Sequence, residues 1–169
     1  MKTLIILEDN NGKIHRMGLE SIVAAQKIAS ALKGSIQAVV IGQNADTLAD
    51  EAASYKLDEV IKIKDPLLDN YSADGYAEAV KQVIDQENPD YVLFGHSYQV
   101  RDYAPKVSAK LMKPFLVDNV AVSIDNGKVV LTKQMFNAKL FSDIKTNGDS
   151  PFLISFQSAA FSSDAANKG

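Results

Sequence analysis

The residues best supplied for chemistry sit together in one stretch, Gly95–His96–Ser97 followed by Arg101. They come after the apolar run Tyr91–Phe94 (YVLF) and before a helical pattern over residues 100–112 with Tyr103, Val107 and Leu111 on one stripe. A strand, a glycine turn and a helix in that order is how many α/β proteins cradle a phosphate. Amides at the helix start face the anion, a hydroxyl donates and a cation adds charge. Gly95, Ser97 and Arg101 are thus the candidate nucleotide contacts. The same residues also suit a plain helix start: Gly95 permits a tight turn, Ser97 caps the helix, and Asp102 in its first turn favours the dipole. The cap account outweighs the cradle, because a cradle needs several glycines for close backbone approach. Here a single glycine is followed by the bulky His96 and Tyr98.

Other chemistries are poorly supplied. Neither GxGxxG nor GxxxxGK[ST] occurs, so a dinucleotide fingerprint and a P-loop are both missing. GHSYQ lacks the glycines of the GxSxG nucleophile elbow. His15 and His96 are the only histidines, and with a carboxylate such as Asp9 they could hold a metal only if their strands are neighbours. Nothing has metal-ligand spacing. Cysteine is absent, which removes disulfides, thiolate sites and cysteine nucleophiles together. No catalytic residue and no metal site are expected.

The elements that must position these residues can be read from periodicity. Thr3–Leu7 (TLIIL) is a continuous apolar run, expected of a strand covered on both faces. A helix opens near Gly18, carries Ile22, Ala25, Ala29 and Leu32, and stops at Lys33–Gly34. Ile36–Ile41 is a second buried strand ended by Gly42–Gln43–Asn44, and Asp46–Tyr55 a short helix. Glu59–Ile63 alternates, as a strand near an edge does. Tyr76–Glu87 is a helix with Ala79, Val80, Val83 and Ile84 on one face. The βαβαβαβα rhythm implies an α/β fold with a doubly wound, mostly parallel sheet and right-handed crossovers.

After Pro114 the pattern changes. Asn119–Ile124 and Lys128–Leu131 flank the hairpin signal Asp125–Asn126–Gly127. Leu140–Lys145 and Phe152–Phe156 are expected to form a second antiparallel pair bent at Asn147–Gly148, extending the sheet edge, with the last strand a candidate for insertion into the sheet. Phe136, Phe141, Phe152 and Phe156 read as core beneath these strands, with an apolar surface awaiting a partner as the alternative. The acidic run DEAASYKLDE reads as a solvated face. Residues 1–157 form one domain. Residues 158–169 lack large apolar residues after Phe161 and read as a linker, implying a longer protein.

Composition bounds the partners. A net charge of −3 with interspersed signs gives no basic footprint for nucleic acid and no polybasic membrane anchor. The 46% hydrophobic and 23% charged content is that of an ordinary globular chain. No apolar run is long enough to span a bilayer, so no membrane insertion is expected. The opening MKTLIILED meets acidic residues too early for a signal peptide, which points to the cytoplasm.

In order along the chain, LIILED, NNGK, AAQKIA, Gly42–Gln43–Asn44, KIKDPLLDNYSADGYAEAV, FGHSYQVRDYAPKVSAKL and Val117–Asp118–Asn119–Val120 resemble the N-terminal domain of the electron transfer flavoprotein α subunit, from Thr3 to Phe161. One stretch departs. The family commonly shows Arg-Pro-Ile-Tyr-Ala-Gly-Asn-Ala where this chain has Lys133–Leu140, keeping only the aromatic, as Phe136.

The resemblance implies a Rossmann-like fold of the adenine-nucleotide-hydrolase type and a division of labour. FAD is held mainly by a C-terminal domain absent from this chain, together with the electron transfer flavoprotein β subunit, and AMP by the β subunit in many members. This domain would then be a non-catalytic scaffold in a heterodimer that shuttles electrons from acyl-CoA or other dehydrogenases. No cofactor is expected on it, Gly95, Ser97 and Arg101 being the weak candidates. The alternative is a stand-alone adenine-nucleotide-binding module resembling universal stress proteins.

Overall fold

The computed structural model describes residues 1–169. The first half follows the expected rhythm: β1 (Lys2–Leu7), α1 (Arg16–Leu32), β2 (Ser35–Ile41), α2 (Ala45–Ala52), β3 (Glu59–Ile63), α3 (Ala73–Glu87), β4 (Tyr91–Gly95) and α4 (Tyr98–Leu111). Four strands follow, β5 (Phe115–Asp125), β6 (Lys128–Met135), β7 (Leu140–Lys145) and β8 (Phe152–Phe156). One eight-stranded sheet results, in the order β3-β2-β1-β4-β8-β5-β6-β7. Strands β3 to β5 in that order run parallel, while β6 and β7 are antiparallel additions.

The apolar runs fix which strands lie inside. In β1 the side chains alternate between two cores, Ile5 and Leu7 packing with α1 and α2, Leu4 and Ile6 with α3 and α4. Only a strand covered on both faces needs apolar residues at every position. Helix α1 ends where Lys33 turns left-handed (φ 53°) and its amide bonds Ala29 O. Helix α4 begins two residues before the periodic stripe, because Ser97 caps it at Val100 N. Helix α2 stops at Ala52, three residues short of the expected Tyr55. The sheet order reverses between β1 and β4, so the carboxyl ends of these two strands flank the crevice where ligands bind in such folds.

The second half needs one correction. Leu140–Lys145 and Phe152–Phe156 do not pair with each other: β7 pairs with β6, and β8 runs parallel between β4 and β5. Burial explains the difference. Leu153, Ile154, Ser155 and Phe156 are all buried, which an edge strand cannot satisfy, whereas β7 exposes most of its side chains. The insertion expected as a possibility is the observed arrangement. Strand β5 also starts earlier than expected, at Phe115, with a register irregularity between Leu116 and Asn119 against β8. The four phenylalanines divide accordingly. Phe156 is core and Phe152 stacks on Tyr91, while Phe136 and Phe141 are exposed.

The insertion of β8 has a measurable consequence. Ile154→Ala, at a fully buried position, is expected to lower the unfolding free energy by about 2–5 kcal/mol. Ile144→Ala on the outer strand is expected to cost less than half as much, with urea denaturation of both variants as the measurement.

Candidate functional site

The crevice at the carboxyl ends of β1, β4 and β8 has a volume of ≈ 840 Å³ and is lined by Glu8, His15, Met17, His96, Ser97 and Arg101, with Asp118 at its far wall. All three candidate residues are therefore here or beneath it. Their contacts differ from those of a phosphate cradle.

Gly95 is a glycine because of α1. A Cβ at this position would lie 2.5 Å from Met17 Cβ and 3.0 Å from the Met17 carbonyl carbon. The close approach is spent on packing the first turn of α1 against the end of β4. Gly42, at the neighbouring loop, is similarly used: its backbone is left-handed (φ 99°), and a Cβ would meet Leu68 O at 3.0 Å.

Ser97 is buried and fully engaged. Its Oγ accepts from Val100 N at 3.1 Å and donates to Glu8 Oε2. The carboxylate of Glu8, delivered by the end of β1, thus sits at the amino terminus of α4 through one hydroxyl. That is where the helix dipole favours negative charge and where a bound phosphate would otherwise lie. Glu8 also acts on the tyrosines behind the crevice. Burial first and then Glu8 push the Tyr103 phenol above its ordinary value, and burial followed by Asp9 and Glu8 do so for Tyr76.

Arg101 turns outward. Its guanidinium lies over the ring of Tyr98 at 5.6 Å, and Tyr98 is 89% exposed. Asp102, expected to serve only the helix dipole, also accepts from the Tyr71 hydroxyl at 2.7 Å.

His96 is held by β8. Its amide bonds Phe156 O at 2.8 Å, and its Nδ1 meets Ser155 Oγ at 2.9 Å. Ser155 Oγ already accepts from the Asp118 amide at 3.1 Å. Its one hydrogen is free to donate to Nδ1 when His96 is the Nε2–H tautomer, and its second lone pair accepts from Nδ1–H in the other tautomer. Nε2 lies 4.0 Å from Asp118 Oδ1. Burial lowers the His96 pKa below the ordinary value, Asp118 partly opposes this, and Arg101 and Lys133 add to it.

The histidines share a crevice without sharing a ligand. His15 Nδ1 accepts from Met17 N at 3.2 Å, capping α1. Asp9 accepts from Gly12 N and from Asn44 Nδ2, each at 2.7 Å. No three His, Asp or Glu side chains come together as a metal-binding group. Sequence reasoning missed Glu8, Ser155 and Asp118 as parts of this site. The acidic residue directly after the apolar run LIIL was a usable signal for Glu8, because β1 had to end beside β4. Ser155 carried no signal until β8 was placed.

A second surface lies away from the crevice. Strand β7 is a free sheet edge, and the turn joining it to β6 holds Phe136, Asn137 and Ala138 at φ between 52° and 63°. This tip exposes Phe136 (70%), Phe141 (62%), Leu140 and Met135.

Comparison with known proteins is consistent along the chain. The electron transfer flavoprotein domain model matches residues 3–169. The electron transfer flavoprotein subunit alpha of Bacillus subtilis is 35% identical over 143 residues, 85% of this chain and 43% of that protein. Its counterpart from Thermoanaerobacterium thermosaccharolyticum is 32% identical, covering 83% of this chain and 43% of its own length. The acryloyl-CoA reductase electron transfer subunit beta of Anaerotignum propionicum is 28% identical over 75% of this chain and 34% of that protein. The chain thus spans less than half the length of these relatives.

The setting of His96 predicts a pH dependence. Above the ordinary histidine value of about 6.5 the group is neutral in both folded and unfolded states and is indifferent. As pH falls through that value the unfolded chain takes up the proton first, so stability drops until the folded pKa is reached. His96→Gln removes this contribution. Its urea midpoint is expected to fall less than that of the parent chain between about pH 7 and pH 5.

Proposed function

The chain belongs to the electron transfer flavoprotein domain family, and from that membership we propose that it is the non-catalytic platform of an α-type subunit. In this reading it pairs with a β-type subunit in a cytoplasmic heterodimer that carries electrons from dehydrogenases by way of FAD. Residues 1–157 form the platform, and 158–169 lead toward a flavin-holding domain. No helix is long and apolar enough to cross a membrane.

One observation carries the reading: the amino terminus of α4 is already supplied with an anion, Glu8, through Ser97. A phosphate entering there would be desolvated beside a carboxylate, with no second glycine to open the backbone to it. Gly95 is committed to Met17, and Arg101 faces Tyr98 at the surface. The residues present do not fit the pyrophosphate of FAD or the phosphate of AMP. Redox chemistry in such a protein belongs to the flavin. The contribution of this domain is a rigid sheet and a surface for the partner, and the exposed apolar tip beside the free β7 edge suits that surface.

Two measurements test this. Millimolar AMP or FAD is expected to leave the Tm of the 169-residue chain where matched ionic strength leaves it. A saturable rise that Ser97→Ala or Arg101→Ala abolishes would instead mark an adenine-nucleotide-binding module. Mixed with a β-type subunit of its own organism, the chain is expected to form a stable complex by size-exclusion chromatography. Phe141→Asp, which alters only an exposed side chain, is expected to weaken that complex about tenfold or more.

A further inference from the structure

Residues 157–169 follow β8, the innermost late strand, and cross the molecule. They start at the crevice, where the Gln157 amide bonds Asn119 O at 2.9 Å. They end at the loop between α2 and β3, at the opposite end of the strands, where Lys168 forms an antiparallel bridge with Tyr55. Between these points Phe161 is buried, packed edge-on against Phe156 at 5.1 Å with Lys27 Nζ over its ring at 4.9 Å. A short turn at Ser163–Ala165 then lies against α1, and Ala166 is buried.

The far end is fastened by one side chain. Gln26, in the middle of α1 and largely buried, accepts from the Asn167 amide at 2.9 Å. It donates to Asn167 O at 3.0 Å and to Lys56 O at 3.3 Å. A primary amide carries the same donor and acceptor as a peptide group, so Gln26 acts here as an extra rung joining two backbone segments. Two main-chain bonds complete the joint, Lys56 N to Asn167 O at 2.8 Å and Gly169 N to Ser54 O at 3.1 Å.

We propose that residues 157–169 are a docked strap locked by Gln26, which holds Asn167–Gly169 at the end of the sheet opposite the crevice. A free linker of this length would let its far end roam roughly 20 Å. Docking removes that freedom. What this means for a flavin domain rests on the function proposed above, whereas the strap itself does not.

Hydrogen–deuterium exchange on the 169-residue chain tests the strap. In the parent chain the amides of Lys56, Asn167 and Gly169 are expected to exchange well below the free-peptide rate. In Gln26→Ala they are expected to exchange roughly tenfold faster, while those of β1 and β4 are unchanged. Asn167→Pro, which removes the donor to Gln26 and leaves α1 untouched, is expected to release the same segment. Free-peptide exchange at these amides in the parent chain, or tail exchange unaltered in both variants, would overturn the proposal. The measurement needs neither flavin nor partner, so a failed strap and a failed family role give different results.

Discussion

The Glu8–Ser97 contact is the constraint around which this molecule is arranged. At the reversal of strand order two adjacent strand ends diverge, and the helix following β4 presents unpaired amides to the gap. Most proteins of this architecture leave the gap for a ligand. Here β1 carries a carboxylate into it, and the Ser97 hydroxyl hands that charge on to the start of α4 while capping Val100. The first turn of α1 then closes over Gly95 so tightly that Met17 leaves no room for a Cβ. The gap is completed from within. Its remaining volume faces solvent with a histidine, an acid and an outward-turned arginine.

Strand β8 ties the late part of the chain to this arrangement. Its insertion beside β4 brings Ser155 against His96 and Phe156 O against the His96 amide, so the loop that opens α4 is fixed from the side opposite Glu8. The same strand launches the tail, and Phe156 provides the ring against which Phe161 packs. A single five-residue segment thus supports both the crevice wall and the strap. Its burial is the reason: in FLISF four of five residues are apolar and the polar one, Ser155, is hydrogen-bonded, which suits a strand between two others.

Much of this was legible in the sequence, and the failures have specific causes. TLIIL, IQAVVI and YVLF gave buried parallel strands because each apolar run is bounded by turn residues, and the helices between them gave the winding. Ser97 as a cap was legible from its place ahead of a helical stripe. The partner of β7 was not, because hairpin chemistry at Asn147–Gly148 favours pairing β7 with the segment that follows. That local preference yields to the burial of β8, a tertiary demand that no turn signal encodes. The engagement of Glu8 was half legible. An acid after LIIL was visible, but its contact with a residue 89 positions on depends on β1 and β4 being neighbours. The tail misled on composition: its small residues look unstructured, yet Phe161 and Asn167 find a ring and an amide prepared for them.

The two edges of the sheet show where such a domain is open to association. An exposed edge strand invites pairing unless charge blocks it. On β3 the edge carries Glu59 and Lys62, with Lys64 directly after it, and both lysines pair with Asp46. On β7 the tip presents Leu140 and Phe141 beside Met135 and Phe136, and Lys139 is the one charged residue in the turn between them. The departure from the family pattern, Lys133–Leu140, coincides with this tip. Core positions are held by packing from every side, so replacing several of them in a row would disturb the fold. An exposed tip is constrained only by what it meets, and the loss of arginine, proline and glycine there leaves strands β5 to β7 paired along their lengths. Substitution at that tip therefore leaves the pairing of the platform's strands in place.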